Sequence, residues 1–172
     1  MWSSDRSLIA LGLAGLLAVA GCTAQPLDGQ LSSALSSTVN ETLRQTAVDP
    51  VETRVAQQVR NELLFAMHGG AGPATPRQAV RLTIRPLTQA LAVPRNGRIS
   101  PAAQVQIDGS YVLRDLSDGS EIAKGRRLVS VPYDRTDQQF ANQRAERDAQ
   151  NRAARELARQ LRLDIAQRLA RR

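Results

Sequence analysis

Between residues 103 and 114 apolar and polar side chains alternate. Val105, Ile107, Gly109, Tyr111 and Leu113 fall on one face, and Gln104, Gln106, Asp108, Ser110 and Arg114 largely on the other. A period of two marks a strand with one face buried and one face wet. Such a sheet has to be covered from one side by another layer and can leave its second side to water. Asp115 to Gly119 reads as a turn ending in Asp-Gly, so the strand should pair with 121–133 as an antiparallel hairpin.

Two helical patterns supply the covering layer. Phe140, Ala145, Ala149, Ala153, Leu157, Leu161, Ile165 and Leu169 recur mostly every four residues, with no Gly or Pro among them. This predicts a helix of some 30 residues, roughly 50 Å long, beginning near 134–137. Arg144–Asp148, Asp148–Arg152, Arg152–Glu156 and Asp164–Arg168 are spaced as ion pairs on its outer, solvated face. The second helix is expected over about 50–67. There Asp49 caps, Pro50 takes the first position, Glu52 completes the box, and Val51, Val55, Val59 and Leu63 form the stripe. His68-Gly69-Gly70 closes it, with His68 read as a cap, and 69–78 is a loop.

The remaining strands are less sharply written. In 79–93, Val80, Leu82 and Ile84 alternate with Arg81, Thr83 and Arg85. Past Pro86 the apolar set shifts to Leu87, Leu91 and Val93, which suggests a bulge or an edge strand. Pro94 to Pro101 reads as a loop carrying Arg95 and Arg98, and a first strand is expected somewhere in 38–48. The fold class is therefore α+β: a two-layer sandwich in which a mixed sheet of about four strands packs against two helices, in one domain over 38–172.

Residues 1–37 carry a different signal. From Leu8 to Ala20 the chain is apolar for about 13 residues, the length of a signal-peptide core and short of a membrane span. It ends Val19-Ala20-Gly21-Cys22, which resembles the bacterial lipobox: small residues before a Cys whose thiol takes a diacylglycerol. Residues 1–21 are then a signal peptide, Cys22 the lipidated first residue, and 23–37 a tether. Palmitate or a similar acyl chain would complete the modified cysteine. By the lipobox rule, Thr23 in place of an Asp implies the outer membrane of a Gram-negative cell.

Charge and residue types limit the function. The net charge is +7, and the surplus lies late, with ten basic against five acidic groups in 135–172. All basic residues but Lys124 are arginine, a side chain that grips phosphates and carboxylates bidentately. Nucleic acid is the default partner of so basic a chain, but export argues against it. Cys22 is the only Cys and His68 the only His, which excludes disulfides and the usual zinc sites. The sequence holds no Gly-rich phosphate loop, no Ser elbow and no metal-ligand cluster, so neither an enzyme nor a cofactor or metal is expected.

The order of motifs resembles a known family. A lipobox Cys precedes Pro26-Leu27-Asp28-Gly29, then a strand and Val51-Glu52-Thr53-Arg54-Val55-Ala56-Gln57-Gln58-Val59-Arg60-Asn61-Glu62-Leu63. The hairpin Gly109-Ser110-Tyr111-Val112-Leu113-Arg114-Asp115 with Gly119 follows, then Ala145-Glu146-Arg147-Asp148-Ala149 and Ala153-Ala154-Arg155-Glu156-Leu157-Ala158. This resembles LptE, the lipopolysaccharide-assembly lipoproteins, in their alphaproteobacterial form. The resemblance implies an outer-membrane lipoprotein on the periplasmic side. It would sit in a complex with the β-barrel LptD, support that barrel's assembly and bind lipopolysaccharide during its delivery. Arg95, Arg98, Lys124, Arg126 and Arg127 are the candidate lipopolysaccharide contacts. The run Lys124-Gly125-Arg126-Arg127 leads, because like charges packed so closely cost energy unless an anion relieves them. A secretin pilot or a peptidoglycan-binding anchor are the rival scaffold roles.

Overall fold

A computed structural model describes residues 37–69, 73, 75–95 and 98–171, with side chains from 92 to 101 left out. The signal peptide, Cys22 and the stretch 23–36 fall outside the described residues. A helix, α1, occupies 37–44. It is followed by β1 (Thr46–Val48), α2 (Arg54–His68), β2 (Gln78–Arg95), β3 (Arg98–Asp115), β4 (Glu121–Asp134) and α3 (Gln139–Leu169). The sheet order is β1-β2-β3-β4, with β1 parallel to β2 and the other pairs antiparallel. The α+β sandwich with a mixed four-stranded sheet is the architecture seen.

The inward positions of the sheet are Val80, Leu82, Val105, Ile107, Tyr111, Leu113 and Val129, all buried. Val55, Val59, Leu63 and Met67 of α2 and Ala149, Ala153, Leu157, Leu161 and Ile165 of α3 close over them. Burial of each large side chain in this layer contributes roughly 1.5–3 kcal/mol relative to exposure. The small residues of α3 let it approach closely. A Cβ at Gly109 would lie 2.6 Å from Cδ2 of Leu157, and one at Gly125 would collide with the Asp164 carboxylate.

The first strand falls within 38–48 as expected, but it is short and follows a helix that the sequence does not show: Val39 and Leu43 are four apart, and Leu43 is buried in the core. Only Thr46–Val48 pairs with the sheet. Other boundaries differ. Helix α2 starts at Arg54, with Thr53 as N-cap accepting from the Ala56 N–H. Asp49 is not its cap. The Asp49 N–H donates to the Val80 carbonyl at 2.9 Å, which prolongs the β1 ladder, and the Pro that follows keeps Asp49 out of helical geometry. Gly69, at φ 74°, ends the helix as expected. His68 binds the Thr46 carbonyl through Nε2 at 2.8 Å and so pins the helix end to β1.

The largest difference is the β2–β3 hairpin. Residues 94–95 and 98–101, expected in a loop, are strand. The strands continue until Arg95 pairs with Arg98, leaving only Asn96-Gly97 between them. Four prolines lie inside strands, and the ladder shows why each is tolerated. The Val80 carbonyl points to β1, so even positions of β2 face that edge. Among the described residues β1 covers only Gln78–Val80, so Pro86 and Pro94 give up an N–H that would face an open edge. By the same alternation Pro101 points toward β4, which ends opposite Ala102, and Pro132 points to the outer edge of β4. Pro86 therefore marks an edge. It is not a bulge, since it pairs with Ile107 in unbroken register, and the register shift falls at Leu113/Arg114. The apolar phase changes past Pro86 because residues 85–90 are exposed whichever way they point, and burial no longer selects a face.

Helix α3 begins within two residues of its expected start, but Phe140 does not join its core stripe. Phe140 is 83% exposed and the first fully buried position is Ala149, because the first turns of the helix extend past the covering layer.

Candidate functional site

The basic run on β4 divides between the two faces of the sheet. Lys124 and Arg126 project from the open face, and Arg127 turns toward α3. Each meets a carboxylate of the chain itself. Lys124 pairs with Glu121 at 3.2 Å. Arg126 clamps Asp108 with two bonds, Nε at 2.7 Å and Nη2 at 2.5 Å, in the fork geometry that suits a guanidinium. The bond from Arg126 holds the Asp108 carboxyl below its ordinary pKa, and the charge of Arg85, directly across the β2–β3 ladder, adds to it. The anions that relieve this run are thus Glu121, Asp108 and Asp164. Lys124 and Arg126 stay largely exposed, at 73% and 71%, so both remain within reach of an outside anion. Further along the open face Asp49 holds Arg114 at 3.1 Å and Arg81 at 3.5 Å.

Arg127 belongs to a buried network under α3. Its Nη2 lies 2.5 Å from Oδ1 of Asp164, while the Tyr111 hydroxyl donates to Oδ2 at 2.6 Å and Arg168 approaches that oxygen at 3.4 Å. Burial, reinforced by the Asp164 carboxylate, pushes the Tyr111 phenol far above its usual pKa. The sequence reading placed Asp164 on the solvated face. Its position three residues after Leu161 and seven after Leu157 puts it in the apolar stripe, and that spacing was the signal available. This network positions α3, while the Arg127 side chain, bonded to Asp164, stays 40% exposed.

Arg95 and Arg98 pair directly at the end of the β2–β3 hairpin, so both belong to strands. Between that half of the hairpin and the first turns of α3 lies an open groove of about 660 Å³, lined in part by Thr88, Tyr133, Arg135, Gln139 and Glu146. Glu146 accepts from the Thr88 hydroxyl at 2.9 Å, and burial raises the Tyr133 phenol above its ordinary pKa.

Comparison with known proteins agrees with this geometry. The model of the LptE family, described as lipopolysaccharide-assembly, matches residues 34–165. Among solved structures, a Caulobacter crescentus protein described as a lipoprotein is 27% identical, with TM-score 0.66 over 79% of this chain and 98% of that one. A minor lipoprotein from Acinetobacter baumannii (16% identity, TM-score 0.55, 73% and 92% coverage) shares the fold. So does rare lipoprotein B from Shewanella oneidensis (12%, TM-score 0.52, 71% and 92%). No curated protein sequence matches the chain. With its whole sheet and nearly all of α3 inside the matched span, the chain belongs to the LptE family of lipopolysaccharide assembly.

Proposed function

We propose that the chain is an outer-membrane lipoprotein of lipopolysaccharide assembly, acylated at Cys22 after removal of residues 1–21 and acting as a binding partner without catalysis. The family match across residues 34–165 carries this reading. In it, the folded unit faces the periplasm at the end of the tether 23–37. It joins an LptD-type β-barrel, supports that barrel's assembly and meets lipopolysaccharide on the way to the outer leaflet. Lys124 and Arg126 on the open sheet face, with Arg95 and Arg98 at the hairpin end, are the proposed phosphate contacts. Arg127 contributes to the same strand from below, through its bond to Asp164.

A pull-down from detergent-solubilised membranes tests the reading. The expected result is an LptD-type barrel recovered with the tagged, acylated chain, and a loss of surface lipopolysaccharide on depletion. Recovery of a secretin ring instead, or of no barrel at all, sinks it.

A further inference from the structure

The inward stripe of α3 changes chemistry where the helix passes the edge of the core. Ala149, Ala153, Leu157 and Leu161 are fully buried against the sheet. Toward the helix start the same face continues, three and four residues apart, as Glu146, Gln143, Asn142 and Gln139. All four line the groove of about 660 Å³. Opposite them one rung of the sheet runs Ala90–Ala103–Tyr133 across β2, β3 and β4. The two alanines lack the bulk to fill the space below the helix, so the Tyr133 ring stands beside an open shelf. Part of this wall is already bonded. Asn142 holds the turn before the helix: its Oδ1 accepts from the Thr136 N–H at 2.7 Å, and its Nδ2 donates to the Thr136 carbonyl at 2.7 Å. Oε1 of Glu146 accepts from Thr88 at 2.9 Å and from Gln150 at 3.3 Å, which fixes the carboxylate. The Tyr133 hydroxyl, the Gln139 and Gln143 amides and Oε2 of Glu146 form no hydrogen bond among the described residues.

We propose that this groove binds a neutral or amino saccharide, its pyranose ring seated between the Tyr133 ring and the amide row of α3. A sugar ring presents a C–H face and a rim of hydroxyls that both donate and accept. An aromatic ring beside a shelf takes the first. Amides and carboxylates, each with two polar atoms in a fork, take neighbouring hydroxyls of the second. Charge decides against a phosphate: Asp137 and Glu146 line the groove against Arg135 alone. The volume lies within the range of small-molecule sites, about 300–1,000 Å³. The saccharide class follows from the groove itself, and only its source rests on the envelope location proposed above. There such rings occur in the core of lipopolysaccharide and in the cell-wall glycan, and the experiment separates the two.

The core closes entirely within α1 to α3, so residues 36–172 fold as one unit and are used without the anchor. Backbone amide NMR shifts of this unit are followed against dephosphorylated core oligosaccharide, an N-acetylglucosamine tetramer and inorganic phosphate. Millimolar saccharide is expected to shift the amides of Tyr133, Gln143 and Glu146, and phosphate to leave them in place. Tighter binding of the core oligosaccharide names lipopolysaccharide as the source, and tighter binding of the tetramer names the cell wall. Tyr133→Ala and Gln143→Ala should each raise Kd about two- to tenfold. Gln143 is exposed and unbonded, so its loss leaves the fold intact. Ser130→Ala, exposed on the opposite face of the sheet, should leave Kd unchanged. The proposal is overturned if neither saccharide moves these amides, if phosphate moves them equally, or if Kd ignores both substitutions. A barrel recovered in the pull-down beside an unresponsive groove would leave the proposed function standing and remove this inference alone.

Discussion

The hydroxyl of Tyr111 donates to Oδ2 of Asp164 at 2.6 Å, joining the central strand β3 to helix α3 inside the core. Tyr111 is 1% exposed and Asp164 5%. A buried carboxylate is costly unless its oxygens are bonded, and here Arg127 and Arg168 complete the set. Tyr111→Phe keeps the ring and removes only the donor. It should destabilise the fold by about 1–3 kcal/mol in urea denaturation. A Tyr111→Phe, Asp164→Asn double-mutant cycle should show coupling above about 0.5 kcal/mol, and additive effects would mean that the bond contributes nothing.

The same network fixes a glycine. A Cβ on Gly125 would strike Asp164 Oδ2 and lie 2.6 Å from the Tyr111 ring, two groups that cannot move without breaking their bond. A Cβ on Gly109 meets the flexible end of Leu157 instead. Gly125→Ala should therefore cost more than Gly109→Ala, with the former in the range of about 1–3 kcal/mol or above. Thermal melts of the two variants decide it, and equal losses would show that α3 gives way at both places.

The Arg126–Asp108 clamp predicts a pH response with a fixed sign. Asp108 has a folded-state pKa below its unfolded value, chiefly through the bond from Arg126. Its contribution to stability is thus complete above the ordinary aspartate range and is lost as pH falls through the lowered folded value. Carboxyl-carbon NMR should show Asp108 titrating late on acidification. In Arg126→Gln the titration should move back up toward an ordinary aspartate. An unmoved midpoint would mean that Arg85 or the backbone sets it.

How far the sequence could be read depended on whether burial had selected the residues. Where α2 and α3 cover the sheet, from Val80 to Ile84 and from Val105 to Leu113, the alternation is legible and the structure follows it. From Arg85 to Ala90 both faces are wet, so the pattern fades there and the sequence suggests a loop at the hairpin end. The first strand does lie within 38–48, at Thr46–Val48, but the helix before it is not legible, because Val39 and Leu43 are too few to show a helical period. The basic run on β4 stood out because its residues are adjacent in sequence. Asp108, Glu121 and Asp164, the acids that neutralise the β4 run, come from a neighbouring strand, the strand's own start and a helix. No local reading brings those three together.

Pro86 yields the last prediction. From Arg81 onward the outer edge of β2 has no strand beside it among the described residues, and even-numbered positions aim their N–H groups there. An open edge that long invites pairing with a second copy, and a proline within it removes a donor at the middle of the exposed row. Pro86→Val should leave the β2–β3 ladder intact, since the N–H it restores points away from β3. Monomer stability should then change little, within about 1 kcal/mol. The variant should instead self-associate, seen as a concentration-dependent shift in sedimentation velocity that the parent chain lacks. A variant that stays monomeric at the same concentration would mean that the exposed arginines Arg81 and Arg85 already protect the edge, and that the proline is there for some other reason.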